Sequence, residues 1–479
     1  MEFDVAIIGG GVIGCAVARE LSRFSLRVAL FEAGEDVAQG ASRANSAIVH
    51  AGYDCSPGSL MARLNVAGNA AFPGLCRDLN VPFHAIGSLV IAFPGEEGEL
   101  ERLLDQGQRN AVPGLRLLNP RELQEMQPGV APEAIAALWA PTAGITCPYA
   151  LTIALAENAI ANGARFFLNA PVTELIPNEA GFCLTAGGAD HGARFVVNAA
   201  GVHAGEIAAL IEDCIPIEPR RGEYLLLDRR DGAQAGHVLF MTPGPLGKGI
   251  LVSPTVDGNL LLGPTADRVE DGEDTATTTA GLARVWAGAT RLLPRLQAHP
   301  IANFAGVRAI SGRDFVIRPA TGLPHLIHAA GICSPGLTSA PAIAGEVLSL
   351  LRQAGLEAPL RRDFQPRRAG IPAFAELSAG ERDALIAQDP AWGRVICRCE
   401  TVTEAQVVLA LRGGLPIASL DAVKRRVRAG MGRCSGGFCS PRVMEIIARE
   451  RKIPLAAVTK MGLGSELVWP RRGGTDHAR

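Results

Sequence analysis

FDVAIIGGGVIGCAVARELSRFSLRVALFE, residues 3–32, is the stretch that decides the fold. An apolar run at 3–8 leads into Gly9-Gly10-Gly11-Val12-Ile13-Gly14. A segment of helical apolar period follows at 15–24, and then a second apolar run at 27–31. Strand, tight turn, helix and strand make one βαβ unit. The three spaced glycines have separate physical tasks. Gly9 permits the tight turn, Gly11 lets backbone approach a pyrophosphate, and Gly14 lets helix and strand pack closely. The helix N-terminus turns its positive end toward phosphates. Glu32 closes the second strand, where a carboxylate can bond ribose hydroxyls and disfavours a 2′-phosphate. The expectation is a dinucleotide site for FAD or NAD; the plainer alternative is a tight turn with no ligand.

Outward from this unit the chain continues in α/β style. ARFFLNAPVTEL and ARFVVNAAG read as strands, and LTIALAENAIANG as a helix ending at Gly163. YLLLD, GILVSP and GNLLLGP read as strands separated by Gly and Pro turns, and PAIAGEVLSLLRQAG as a late helix. There is no internal repeat. The basic, proline-containing stretch RRDFQPRRAGIP falls in a composition shift near 352–394, which reads either as a linker or as a strap docked on the main body. A short Cys-bearing region to about 450 follows, then an Arg- and Gly-rich tail expected to fray.

Length and composition bound the rest. The 479 residues allow about two to four domains. With 46 Lys+Arg against 48 Asp+Glu there is no net basic field to hold nucleic acid or an anionic membrane. A hydrophobic fraction of 48% with 20% charged residues excludes a disordered chain. The acidic start, Met-Glu-Phe-Asp, lacks the basic n-region of a signal peptide, and no apolar run reaches about 18 residues. The expected location is the cytoplasm, at most peripheral on the cytoplasmic side of the inner membrane.

Four of the 11 cysteines, Cys397, Cys399, Cys434 and Cys439, stand close together near the C-terminus as Cys-x-Cys and Cys-x4-Cys. In a chain with no export signal such a set reads as metal or cluster ligation rather than disulfides. Four thiolates suffice for a 2Fe–2S cluster, and the Gly-rich MGRCSGGFC frees backbone N–H groups for its sulfurs. A structural zinc site is the rival, although zinc sites usually show Cys-x2-Cys at both ends.

GASRANSAIVHAGYD (40–54), RRGEYLLLD (220–228), GKGILVSPTVDGNLLLGPTA (247–266), FAGVR (304–308) and GICSPGLTSAPAIA (331–344) together resemble the flavin-dependent glycerol-3-phosphate oxidases and dehydrogenases. These belong to the D-amino-acid-oxidase-like flavoprotein superfamily, and the resemblance spans about residues 3–355. CRCETVT (397–403) and GMGRCSGGFC (430–439) resemble the bacterioferritin-associated-ferredoxin-like 2Fe–2S domain. The implied architecture is an α/β, Rossmann-like FAD domain built from about 1–80, 145–215 and 305–355, with an antiparallel-sheet substrate domain from the segments between. Residues 356–394 would link these to a small helical iron–sulfur domain at 395–450, with a tail at 451–479.

The resemblance also implies roles. FAD would be held by Gly9, Gly11, Gly14 and Glu32 at its ADP half, and by Ser42 and Arg43 along the pyrophosphate and flavin. Val172 would contact the adenine side through its backbone, and Ala200 and Gly201 would pass the flavin closely. Gly336, Leu337 and Thr338 would offer N–H groups to the flavin pyrimidine edge, where a reduced flavin carries negative charge. His50 matches the base of the oxidases, and an imidazole with an ordinary pKa of about 6.5 suits that work. Lys248 and Arg308 match cations on the substrate phosphate, with Ser46 and Ser334 as hydroxyl donors. Arg220, Arg221, Arg313 and Arg318 are alternative cations, and His203, His325 and His328 are expected to be structural. The activity implied is oxidation of sn-glycerol 3-phosphate with electrons leaving through the cluster to a protein acceptor or partner subunit. An L-2-hydroxyglutarate or amine dehydrogenase, or a non-enzymatic electron-transfer subunit, are the alternatives.

Overall fold

The computed structural model describes residues 2–244 and 249–469, and the chain divides into two compact units. The first gathers the described residues up to Phe31 with Ala38–Arg165 and Val172–Arg368. The second takes Glu32–Val37, Phe166–Pro171 and the described residues from Ala369 onward.

In the first unit, strand Phe3–Ile8 lies parallel between Val28–Phe31 and Ala189–Asn198. Strand Leu323–Ala330 runs parallel to the far end of Ala189–Asn198, and Val316–Ala320 pairs antiparallel to it. The hairpin Val172–Asn178/Gly181–Ala186 joins the near end of Ala189–Asn198 antiparallel. Val5, Ala6 and Ile7 are fully buried, as a strand covered on both faces requires. Helix Val12–Leu21 packs against helices Pro148–Ala161 and Gly336–Gln353. The tight turn works as its glycines predict. Gly9 sits at φ +109°, and a Cβ on Gly14 would lie 1.9 Å from the Gly9 carbonyl oxygen. Helix Leu60–Leu79 crosses Gly336–Gln353 at Gly68, where a Cβ would lie 2.1 Å from the Thr338 carbonyl oxygen.

The second sheet of this unit is mainly antiparallel. Its spine is Glu218–Leu227, paired along nearly its whole length with Pro300–Ile310. On the other edge follow Leu260–Gly263, Leu251–Pro254, Val238–Met241, Ser88–Ala92, Ala136–Ala140 and Arg116–Leu118. The exception is Val238–Met241 against Ser88–Ala92, which run parallel. Leu89, Ile91, Leu239, Val252, Leu260 and Leu262 point to one face and pack with Val285, Ala289 and Leu292 of helix Thr279–Leu292.

The basic stretch after the late helix is a docked strap as far as Arg368. Ser25 donates to the Pro359 carbonyl and Arg361 to that of Arg23, each at 2.9 Å. The Gln365 N–H donates to Asn162 Oδ1 at 2.7 Å, and Arg368 meets Glu157 at 2.6 Å. Its polar groups are satisfied by Asn and Glu residues of helix Pro148–Ala161 and the turn after it.

The second unit is built on helices Glu404–Leu411, Leu420–Val427 and Ser440–Arg451, with a short hairpin Val395–Cys397/Val402–Thr403. Thr403 and Ser419 accept from the first-turn N–H groups and start the first two of these helices. Within this unit the buried Asp36 carboxylate receives Arg425 at 2.9 Å and Arg426 at 2.8 and 2.9 Å. Glu35 accepts from the Ser419 hydroxyl at 2.6 Å. Residues 459–466 return to pair with Ser419 through Thr459. No helix among the described residues is long and apolar enough to cross a membrane.

Candidate active site and cysteine cluster

His50 follows the two-residue strand Ile48–Val49, which pairs with Gly144–Thr146. Its N–H donates to the Thr338 hydroxyl at 2.8 Å, and its carbonyl accepts from Asn69 at 3.1 Å. Its Nε2 lies 3.2 Å from the Ser334 hydroxyl. The Thr338 side chain also reaches the Ile48 carbonyl. The start of helix Gly336–Gln353 is thereby tied to the histidine segment. Residues far apart in sequence, His50, Ser334 and Thr338, form one group.

A second group forms at the other end of the same segment. The Ser46 hydroxyl and the Tyr224 phenol are 3.2 Å apart. Tyr224 is buried, stacked on Phe304 at 4.9 Å, and burial raises its pKa, which the nearby Arg308 guanidinium partly offsets. Arg308 is half-buried. Its Nη2 donates to the Thr265 carbonyl at 2.6 Å, while its Nε is buried without a partner among the described residues. Unspent donor capacity on a partly desolvated cation suits an anion. Gly222 makes room, since a Cβ there would crowd Arg308 Nη2 at 3.1 Å. Tyr224 was not singled out by the sequence, where it reads as one more β-forming residue in an apolar strand.

The alternative cations divide. Arg318 is held by Asp213 at 2.9 Å, and Arg221 by Asp274 and Glu223. Arg220 stands 4.0 Å from Glu218. His328 is fully buried between Asn198 and Asp213, and burial lowers its pKa to about 4. A neutral ring accepting at Nδ1 and donating at Nε2 is structural. Lys248 lies outside the described residues.

The Ser42 hydroxyl accepts from the Val12 N–H at 2.8 Å and caps the glycine-turn helix. A Cβ at Gly11 would meet only that Ser42 oxygen, at 3.2 Å, so the turn is otherwise open on that side. Arg43 is half-buried and contacts Gln39. Gly201, at φ +60°, would carry a Cβ into open space, beside Ala200, whose N–H donates to Asn198. Val172 opens its strand half-buried. Thr338, in the first turn of its helix, is buried and Leu337 half-buried, with the Gly336 N–H already bonded to Cys333 at 2.6 Å. Glu32 accepts from the Gly34 N–H at 2.7 Å within the second unit. Ala38 and Ala47 both sit near φ +60°, a strained setting for non-glycine residues of the kind that collects at functional sites.

The four cysteines line one pocket of about 440 Å³ together with Arg398, Arg433 and Phe438. The Sγ atoms of Cys399 and Cys434 are 3.8 Å apart, and the Cys397 and Cys439 side chains are hydrogen-bonded, all four remaining free thiols. Gly432 permits this, because a Cβ there would lie 2.1 Å from Cys399 Cβ. Among the described residues no three His, Cys, Asp or Glu side chains gather as a single metal ion requires. Four thiolates in two pairs suit a 2Fe–2S cluster and equally a tetrahedral zinc ion. Backbone N–H groups of Phe438 and Gly436 lower the Cys434 pKa. Burial, with Cys397 and Cys434 alongside, pushes Cys439 up to about 12. Thiols in this pocket give up their protons when a cationic centre binds, so cluster loading and deprotonation are coupled.

Comparisons with known proteins match both parts of the chain. The model of the FAD dependent oxidoreductase family matches residues 4–350, and that of the BFD-like 2Fe-2S binding domain matches 395–449. A glycerol 3-phosphate dehydrogenase of Caloramator mitchellensis is 45% identical over 97% of this chain and 98% of its own length. A glycerol 3-phosphate oxidase of Mycoplasma genitalium is 32% identical over 73% of this chain and 94% of its own. The solved structure of dithionite-reduced L-alpha-glycerophosphate oxidase from Mycoplasma pneumoniae with FAD bound superposes with a TM-score of 0.73, at 31% identity, covering 76% of this chain and 98% of that one. The L-2-hydroxyglutarate dehydrogenase of Caenorhabditis elegans is more distant, at 28% identity.

Proposed function

Since the chain belongs to the FAD-dependent oxidoreductase family and carries a BFD-like 2Fe-2S domain behind it, we propose that it oxidises sn-glycerol 3-phosphate to dihydroxyacetone phosphate. Bound FAD supplies the hydride acceptor, at N5, and a bound 2Fe–2S cluster supplies one-electron steps onward. The chain's own residues position the alcohol and move its proton. His50 takes the hydroxyl proton at Nε2 as the carbon hydride leaves, and the Ser334 hydroxyl orients the ring. Arg308 holds the phosphate, with Ser46 and Tyr224 as hydroxyl partners and Lys248 as a second cation. Gly9, Gly11, Gly14 and Glu32 hold the ADP half of FAD, Ser42 and Arg43 the pyrophosphate side, and Val172 the adenine side. Ala200 and Gly201 flank the flavin, while Gly336, Leu337 and Thr338 face its pyrimidine edge. Cys397, Cys399, Cys434 and Cys439 hold the cluster. FAD segments at about 1–80, 145–215 and 305–355, a protein electron acceptor and a cytoplasmic or membrane-peripheral place of work complete the reading.

What supports it is the segment Ser46–His50. It joins a histidine fixed at backbone and ring to a hydroxyl–phenol–guanidinium set suited to an anion. The test is anaerobic mixing of the loaded protein with sn-glycerol 3-phosphate, following the flavin band near about 450 nm. Bleaching with a paramagnetic cluster signal is expected. Bleaching by L-2-hydroxyglutarate alone would retire the phosphate role of Arg308, because a guanidinium binds a carboxylate equally well.

A further inference from the structure

The mouth of the four-cysteine pocket is basic and aromatic. Besides the cysteines its lining is Arg398, Arg433 and Phe438, with no carboxylate among the described residues. Both arginines are exposed, and Phe438 is 85% exposed, one of the most exposed large apolar side chains described. Two acids close in sequence each have an arginine of their own: Glu400 meets Arg428 at 2.8 Å, and Glu445 meets Arg442 at 3.0 Å. The chain as a whole carries a net charge of −2, so this positive mouth is a local feature and not an overflow of general basicity.

We propose that this mouth is the docking surface for an electron-accepting protein with an acidic face. The proposal rests on reading the four cysteines as a cluster site, and it adds which partner that site selects. Opposed charges steer encounter and can raise association rates by about 10- to 1000-fold. A solvent-exposed aromatic ring amid arginines has the composition of an interface anchor. The ring and both guanidiniums stand at the rim of the thiol pocket, so a carboxylate-bearing partner seated on them lies next to the electron source. Each acceptor molecule takes one electron, with no proton and no bond changing hands. Two acceptor turnovers therefore discharge each two-electron oxidation.

The experiment uses holoenzyme reduced with stoichiometric dithionite, so its outcome does not depend on which alcohol is the substrate. The reduced enzyme is mixed with two one-electron haem acceptors of opposite charge, acidic cytochrome b5 and basic cytochrome c, at low and high salt. The acidic acceptor is expected to be reduced with the larger second-order rate constant at low salt, an advantage that shrinks as salt rises. Replacing both arginines, Arg398→Glu with Arg433→Glu, is expected to lower that rate constant about 10-fold or more and to favour the basic acceptor. Phe438→Ala keeps the charge and is expected to slow the acidic protein by a larger factor than it slows ferricyanide. A preference for cytochrome c in the wild type, or an order that survives charge reversal, overturns the proposal. So does a change confined to the cluster's midpoint potential, which would make the arginines mere counter-charges. A preparation with no iron–sulfur signal overturns it together with the reading beneath it, whereas a loaded preparation without acceptor preference overturns it alone.

Discussion

His50 shows how much positioning one side chain can receive. Its N–H donates to Thr338, its carbonyl accepts from Asn69, and its Nε2 lies 3.2 Å from the Ser334 hydroxyl. A ring held in this way is ready to accept a proton without first being ordered. His50→Gln is expected to slow substrate-driven flavin reduction by about 10²- to 10⁴-fold while leaving bound FAD, read from its absorbance, at the wild-type level. Stopped-flow mixing under argon measures this, and a loss below about threefold would assign the histidine to the framework. His50 and Ser334 were legible because they sit in motifs with a known pattern. Tyr224 was not, because a buried phenol differs from an ordinary strand residue only through partners such as Ser46 and Arg308, which the chain reaches by folding.

At the scale of elements, the glycine turn and its flanking strands could be read directly, since period and glycine spacing encode local geometry. The late helix was harder. It starts at Gly336, before Pro341, because its first turn is held by tertiary bonds from Thr338 to the His50 segment rather than by local propensity. His328 links strands in the same way, with Asn198 on the paired strand and Asp213 beyond. Burial holds it at about 4 against an ordinary 6.5, so the folded state stays neutral where the unfolded chain takes a proton. The His328 contribution to stability is therefore constant above about pH 6.5 and falls as pH drops from there to about 4, by about 3 kcal/mol in all at 1.36 kcal/mol per pH unit. Most carboxylates titrate below this window. Urea unfolding at stepwise pH should show the slope, and His328→Gln should flatten it; an unchanged slope would mean that another group carries it.

At the scale of the molecule, the two motif sets predicted a flavin part and a cluster part, but not that the chain visits the second unit three times. Glu32–Val37 belongs to it because of Asp36, a carboxylate that sequence alone presents as an ordinary loop acid. Burial opposes its charge, and Arg426 and Arg425 outweigh that to hold its pKa down. Asp36→Asn would remove the carboxylate that two almost wholly enclosed guanidiniums share, with Glu35 standing 3.9 Å from Arg425. Breaking one partner of a buried ion pair costs about 3–5 kcal/mol, whereas replacing the whole group with apolar residues is often nearly neutral. Asp36→Asn should therefore destabilise the second unit by that amount, seen as an earlier transition in denaturant followed by the cluster's absorbance. The triple variant Asp36→Leu, Arg425→Met, Arg426→Met should recover most of the loss. If the triple variant is no better than the single one, the contribution lies in the hydrogen bonds to Asp36 itself and not in unbalanced charge.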